Sequence, residues 1–160
     1  MPWDNASNPG RGRDFQTLPA SLLGNRFGVQ FRSDYPLPIG DPAKLHRFDL
    51  VAMADDESPL YVGECKNYTW TETGNIPSAK MAFMNEALLY LSHAPTKSRR
   101  FVAIPGSVHA RRSESLAEYY CRTYSHLLRG IAILEILVET GELKSYWHGK
   151  RVEGKTPWPE

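Results

Sequence analysis

His46-Arg47-Phe48-Asp49-Leu50-Val51-Ala52-Met53 and Leu60-Tyr61-Val62-Gly63-Glu64-Cys65-Lys66 are two apolar runs separated by Ala54-Asp55-Asp56-Glu57-Ser58. The separator has the composition of a turn, and the pair reads as a β-hairpin. With the turn centred near Asp56 and Glu57, residues whose numbers add to about 113 face one another across an antiparallel pair. Asp49 therefore falls beside Glu64, to within one residue of register. Side chains alternate along a strand, so Glu64 and Lys66 project from one face and Cys65 from the other. Phe48, Leu50, Val51, Met53, Leu60 and Val62 flank them, which predicts strands covered on both sides.

Working outward, Phe15, Leu18 and Leu22 recur at helical spacing over residues 13–23, with Pro19 as an interruption and Gly24 as a stop. Phe27, Val29 and Phe31 alternate with Gly28, Gln30 and Arg32 as a strand would, and the Pro-rich stretch from Tyr35 to Pro42 reads as a connection. After the hairpin, residues 76–91 read as a helix with Pro77 in its first turn and Ile76, Ala79, Phe83, Ala87, Tyr90 and Leu91 as its buried stripe. A strand is predicted over 100–104 and a second helix over 113–128, where Ser115 and Glu118 have capping-box spacing and Leu116, Tyr120, Tyr124 and Leu127 face inward. Residues 131–138 and 143–147 make a closing hairpin around Thr140-Gly141. The class is α/β, a mixed sheet with packed helices in the order α-β-β-β-α-β-α-β-β. It forms one domain over 13–148, with a flexible lead-in at 1–12 and a tail at 149–160 that adds no core strand.

Two carboxylates and an ammonium between apolar strands are costly to desolvate, and buried charges need partners or a metal. Like charges held together bind a proton more tightly or recruit a cation. Oxygen ligands suit Mg²⁺, which takes one or two carboxylates and keeps water and phosphate oxygens in its other positions. Lys66 is then placed to orient a water or to stabilise charge on a phosphate. The competing reading of Asp49, Glu64 and Lys66 is a structural salt-bridge network at a sheet end, and spacing alone does not separate the two.

Asp49, fourteen intervening residues and then Glu64-Cys65-Lys66 resemble the signature of the PD-(D/E)XK nuclease superfamily, which includes restriction endonucleases and Holliday-junction resolvases. The resemblance spans about residues 13–104, and the predicted element order is similar to that superfamily's restriction endonuclease-like core. It implies a metal-dependent endonuclease-like enzyme that hydrolyses DNA phosphodiester bonds. Asp49, Glu64 and the backbone carbonyl of Cys65 would be metal ligands, Lys66 the catalytic lysine, and Mg²⁺ (or Mn²⁺ as substitute) the cofactor. Phe48 stands where the motif's name places proline, and in place of an acid on the first helix the chain offers Asp14 and Gln16. A nuclease-fold module that binds nucleic acid or a partner protein without cutting is the alternative.

Further candidates lie around this trio. Tyr68 and Trp70 could stack on a base or pack on the hairpin; Arg111 and Arg112 could contact phosphate or form a solvated cluster. Lys80, Asn85, Glu86 and His46 are candidate accessory residues. The histidines show no zinc-ligand spacing, and no phosphate-binding glycine loop or Ser/Cys nucleophile arrangement is present in the sequence. A net charge of +1 neither demands nor excludes nucleic acid. With 41% hydrophobic residues, no long apolar run and no apolar leader, the expectation is a cytoplasmic protein without a membrane span. Cys65 and Cys121 are expected as free core thiols. DNA is the expected partner, and a homodimer would suit cleavage of both strands.

Overall fold

The computed structural model describes residues 9–154 and 156–159, with side chains described from Phe15 onward. Most of the expected lead-in, residues 1–8, and the side chain of Asp14 lie outside the described residues. Helix α1 spans Pro9–Phe27, strand β1 Arg32–Ile39, β2 Lys44–Met53 and β3 Pro59–Cys65. Helix α2 (Ser78–Ser92), β4 (Arg99–Pro105) and α3 (Leu116–Tyr124) follow, the last running into a 3₁₀ turn at Ser125–Leu127. The chain closes with β5 (Ile131–Leu137), β6 (Glu142–Trp147) and β7 (Lys150–Val152). The seven strands form a single mixed sheet in sequential order, parallel at β3–β4 and β4–β5 and antiparallel elsewhere.

Parallel neighbours need a crossover, so α2 and α3, the two crossover helices, cover one face of the sheet. There Phe48, Val51, Val62, Val102 and Ile133 pack against Met84, Leu91 and Tyr120. On the other face α1 contributes Phe15 and Leu23 to a layer with Leu50, Tyr61, Phe101 and Leu134. Trp158 joins that layer, 6% exposed, and its indole N–H donates to the Arg100 carbonyl at 3.3 Å. The C-terminal segment is thus part of the structure, supplying edge strand β7 and one wall of an aromatic cluster with Phe27, Tyr61 and Phe101.

The first helix is longer than its breakers suggested. Pro19 sits on its buried side, and Gly24 lies within it. The Gly24 carbonyl accepts the Val29 N–H at 3.0 Å, and a Cβ there would come within 2.9 Å of the Val29 carbonyl. The glycine therefore serves a close chain return, while Gly28 (φ +67°) stops the helix. Phe27, Val29 and Phe31 are not a strand. They pack as a helix end and loop against the α1-side layer. The strand lies instead in the Pro-rich stretch, with Pro36 and Pro38 opposite Arg47 and Leu45. As a sheet edge, β1 needs only half of its backbone N–H groups for pairing, which is where proline is tolerated.

On α2 the buried stripe is Met81, Met84, Ala87, Leu88 and Leu91, whereas Ala79 and Phe83 face outward. Helix α3 is shorter than the predicted 113–128 and begins at its cap, where the Ser115 hydroxyl accepts the Glu118 N–H at 3.1 Å. Leu116 and Tyr120 are buried as expected, while Leu127 is exposed. Both cysteines are free. Among the described residues no helix is long and apolar enough to cross a membrane.

Gly63, one residue before Glu64, has Phe101 directly over it, and a Cβ there would penetrate the ring. Phe101 is fully buried and hemmed in by Phe31 and Trp158, so it has little room to yield. Gly63→Ala is expected to cost about 1–3 kcal/mol of stability through overpacking, measurable as a lower urea midpoint. An unchanged midpoint would mean that the aromatic layer is looser than its packing implies.

Candidate active site

The β2–β3 ladder runs Ala52↔Tyr61, Val51↔Val62, Leu50↔Gly63 and goes no further. One step beyond lie Asp49 and Glu64, the pair expected from the turn position. On the other flank, the β1–β2 ladder passes from Ser33↔Leu50 to Tyr35↔Phe48, omitting Asp34 and Asp49, and Asp34 has a left-handed φ of 50°. Asp49 is therefore the residue at which β2 leaves regular pairing on both sides.

Its side chain takes over the lost contact. The Cys65 N–H, which regular pairing would send to β2, donates to Asp49 Oδ2 at 2.8 Å. The next N–H, of Lys66, donates to the Ala103 carbonyl of β4 at 2.9 Å. From the opposite layer, the Gln16 amide of α1 donates to the Asp49 carbonyl at 2.7 Å. Gln16 thus secures the strand that carries Asp49 and acts from behind the sheet.

Glu64 projects toward α2 and is 6% exposed. Burial first, then a shared hydrogen bond and like charge from the neighbouring Asp49 carboxylate, push its carboxyl up to about 9, with Lys66 opposing. His46 Nε2 lies 3.2 Å from Glu64 Oε1. The spacing is that of an ion pair, but the chemistry is that of a neutral hydrogen bond. Burial lowers the imidazole below its ordinary value, and Glu64 holds its proton at neutral pH. Tyr90 stacks flat on His46, with ring centroids 3.9 Å apart, and Phe48 meets the imidazole edge-on.

Lys66 is half-buried just past the end of β3, and no ion pair within 4 Å joins it to either acid among the described residues. It nevertheless acts electrostatically on both Glu64 and His46. The trio is brought together without being locked into a closed salt bridge. Beside it a cavity of about 120 Å³ opens between the strands and α2. His46, Arg47, Glu64 and Lys66 line the strand side, and Phe83, Glu86 and Tyr90 line the helix side.

The remaining candidates divide. Glu86 is at the cavity, and its charge is felt by His46 and Tyr68. Burial, then the charges of Glu86 and Asp49, raise the Tyr68 hydroxyl, which places it beside the acids, while Lys80 sits over its ring at 5.3 Å. Asn85 is committed elsewhere, accepting the Tyr120 hydroxyl at 2.7 Å in the α2–α3 contact. Trp70 is a core side chain rather than a base platform. It is 5% exposed, donates to the Glu114 carbonyl, and carries Arg112 4.5 Å over its ring. Arg112 also donates to the Gly74 carbonyl at 2.6 Å, so it is engaged in holding that loop, while Arg111 is exposed. Arg47, Phe83 and Tyr90 were not among the sequence candidates. The signal for the last two was present as the spacing of Phe83, Glu86 and Tyr90 on one helix face.

Among the described residues no three His, Cys, Asp or Glu side chains form a ready metal-binding group. The donors that meet at the end of the hairpin are oxygens, the Asp49 and Glu64 carboxylates, with the Cys65 carbonyl next along the strand. That set suits a hard cation that retains several waters. No family model matches the chain, and no curated protein or solved structure matches it either.

Glu64 binds its proton more tightly in the folded chain than in the unfolded one. The resulting stability is fully present below the ordinary value of 4.5 and is lost as pH rises toward about 9. In EDTA, Tm is therefore expected to fall across that window, and Glu64→Gln, which cannot ionise, is expected to flatten the slope and melt higher at its alkaline end. A variant whose slope equals that of the parent would show that the acid pair does not share a proton.

Proposed function

We propose that the chain is a metal-dependent phosphodiesterase acting on DNA, an endonuclease-like enzyme with its centre at Asp49, Glu64 and Lys66. The observation that supports this reading is the meeting of two carboxylates and an unpaired ammonium where β2 and β3 part, beside an open cavity. Asp49, Glu64 and the Cys65 carbonyl would hold Mg²⁺, with Mn²⁺ as a substitute. A divalent ion bound there supplies Lewis acidity toward a phosphoryl oxygen and lowers the pKa of its water.

The chain's own residues do the rest. The Cys65 N–H and the Gln16 amide hold Asp49 at a fixed position, so the site does not depend on a mobile loop. Glu64 would hold the cation as a carboxylate, its proton released to solvent. Lys66, an ammonium with three donors and no acid locked onto it, is free to orient the attacking water or to offset charge building on the scissile phosphate. Its electrostatic influence on Glu64 and His46 supports this role.

Supercoiled plasmid is expected to be nicked or linearised in Mn²⁺ or Mg²⁺ and left intact in EDTA. Lys66→Ala and Asp49→Ala are each expected to lose on the order of a hundredfold or more in rate, with circular dichroism unchanged. Intact plasmid under both metals would overturn the enzyme and leave a nuclease-fold module that binds without cutting. Binding of the cation is separable from cleavage. Mn²⁺ is expected to raise the Tm of the parent and to leave that of Asp49→Asn unmoved.

A further inference from the structure

Phe83 is the anomaly of the cavity. It lies on α2, whose core side is fully supplied by Met81, Met84, Leu88 and Leu91, yet this aromatic ring faces outward with 46% of its surface exposed. It is also one wall of the cavity beside the acid pair. Opposite is the half-buried Lys66. Arg47 also lines the strand side, but its side chain alternates away from those of His46 and Phe48, and its guanidinium donates an N–H to the Asp34 carbonyl of edge strand β1 at 3.0 Å. Deeper in, Tyr90 and His46 are already stacked on each other, so Phe83 is the aromatic left without a ring partner among the described residues.

An exposed aromatic face beside a lysine ammonium, at an open cavity of about 120 Å³, suits a flat ring system whose attached phosphate reaches the ammonium. A free anion would use Lys66 and leave Phe83 idle. An apolar peptide would use Phe83 and cover the Lys66 ammonium without giving it a partner. The Glu86 carboxylate at the cavity supplies an acceptor for an exocyclic base amine.

Resting on the nuclease reading above, we propose that this cavity is a subsite for a single unpaired nucleotide of the substrate strand, its base on Phe83 and its phosphate against Lys66. Inside a duplex both faces of a base are stacked and its edge is paired. Only a base that is single-stranded, terminal or extruded can present a face to Phe83, and extrusion costs unstacking and unpairing. The substrate class is therefore DNA with unpaired nucleotides next to the cut, such as single strands, flaps or frayed ends, in preference to intact duplex.

The test is fluorescence anisotropy of a labelled oligodeoxynucleotide in EDTA, as a single strand and as a blunt duplex, with the parent, Phe83→Ala and Phe83→Trp. The ring is exposed, so both variants are expected to fold, and melting curves check that they do. The expected result is tighter binding of the single strand than of the duplex by the parent. Phe83→Ala should then lose five- to a hundredfold on the single strand alone, and Phe83→Trp should retain the affinity. Equal loss on both substrates, no effect of Phe83→Ala, duplex preference, or no oligonucleotide binding by the parent would each overturn the subsite. The nuclease reading is judged apart from it, by whether Mn²⁺-dependent plasmid cleavage by the parent disappears in Lys66→Ala.

Discussion

The hydrogen bond from the Cys65 N–H to Asp49 Oδ2, at 2.8 Å, is the interaction on which the candidate site depends. Where β2 leaves β3, a backbone donor would be stranded in a half-buried position, and such a group costs about 1–3 kcal/mol if left unsatisfied. Asp49 satisfies it with a side chain, which lets the strands part while the sheet stays closed. That parting opens the cavity. It also obliges a carboxylate to sit beside Glu64, so a structural repair and the proposed reactive centre share one residue.

The second constraint is charge. Two ionised carboxylates about 4 Å apart repel by about 4 kcal/mol at an effective dielectric of about 20, well above the roughly 1 kcal/mol net of an ordinary hydrogen bond. Packing cannot quietly absorb that term, so the pair takes up positive charge in one form or another. Without a cation the form is a proton on Glu64, accompanied by a neutral His46. A purely structural salt-bridge network would have solved the problem by closing Lys66 onto an acid, and among the described residues Lys66 makes no such ion pair. The proposed reactive centre rests on this difference, which lies in the placement of a single ammonium.

The hairpin was legible in the sequence because its turn residues and period-two alternation both point to the same register, which the observed pairs Leu50↔Gly63 and Val51↔Val62 follow. The start of the chain was not, because Pro19 and Gly24 are local breakers whose cost is overridden by tertiary contacts, the first buried and the second needed for a close chain return. The edge strand β1 was hidden for a related reason. Its prolines argue against a central strand and say little about an edge. Of the candidate site, the adjacency of Asp49 and Glu64 was readable from spacing. The roles of Gln16, Trp70 and Asn85 were not, since each is decided by a partner more than thirty residues away in the chain.

Helix α2 shows why part of the site could not be read from periodicity. It carries two apolar stripes, Met81-Met84-Ala87-Leu88-Leu91 and Phe83-Tyr90, and a helix apolar around most of its circumference gives no preferred face. The sheet decides between them. The flexible Met and Leu side chains fill the irregular space over Val51, Val62 and Val102, and the rigid aromatics are left toward the parted end of the hairpin. Tyr90 then finds a ring partner in His46, but Phe83 finds none among the described residues. The stripe rejected by the core is thus the one that faces Glu64 and Lys66, and the aromatic surface of the cavity follows from how the core was packed.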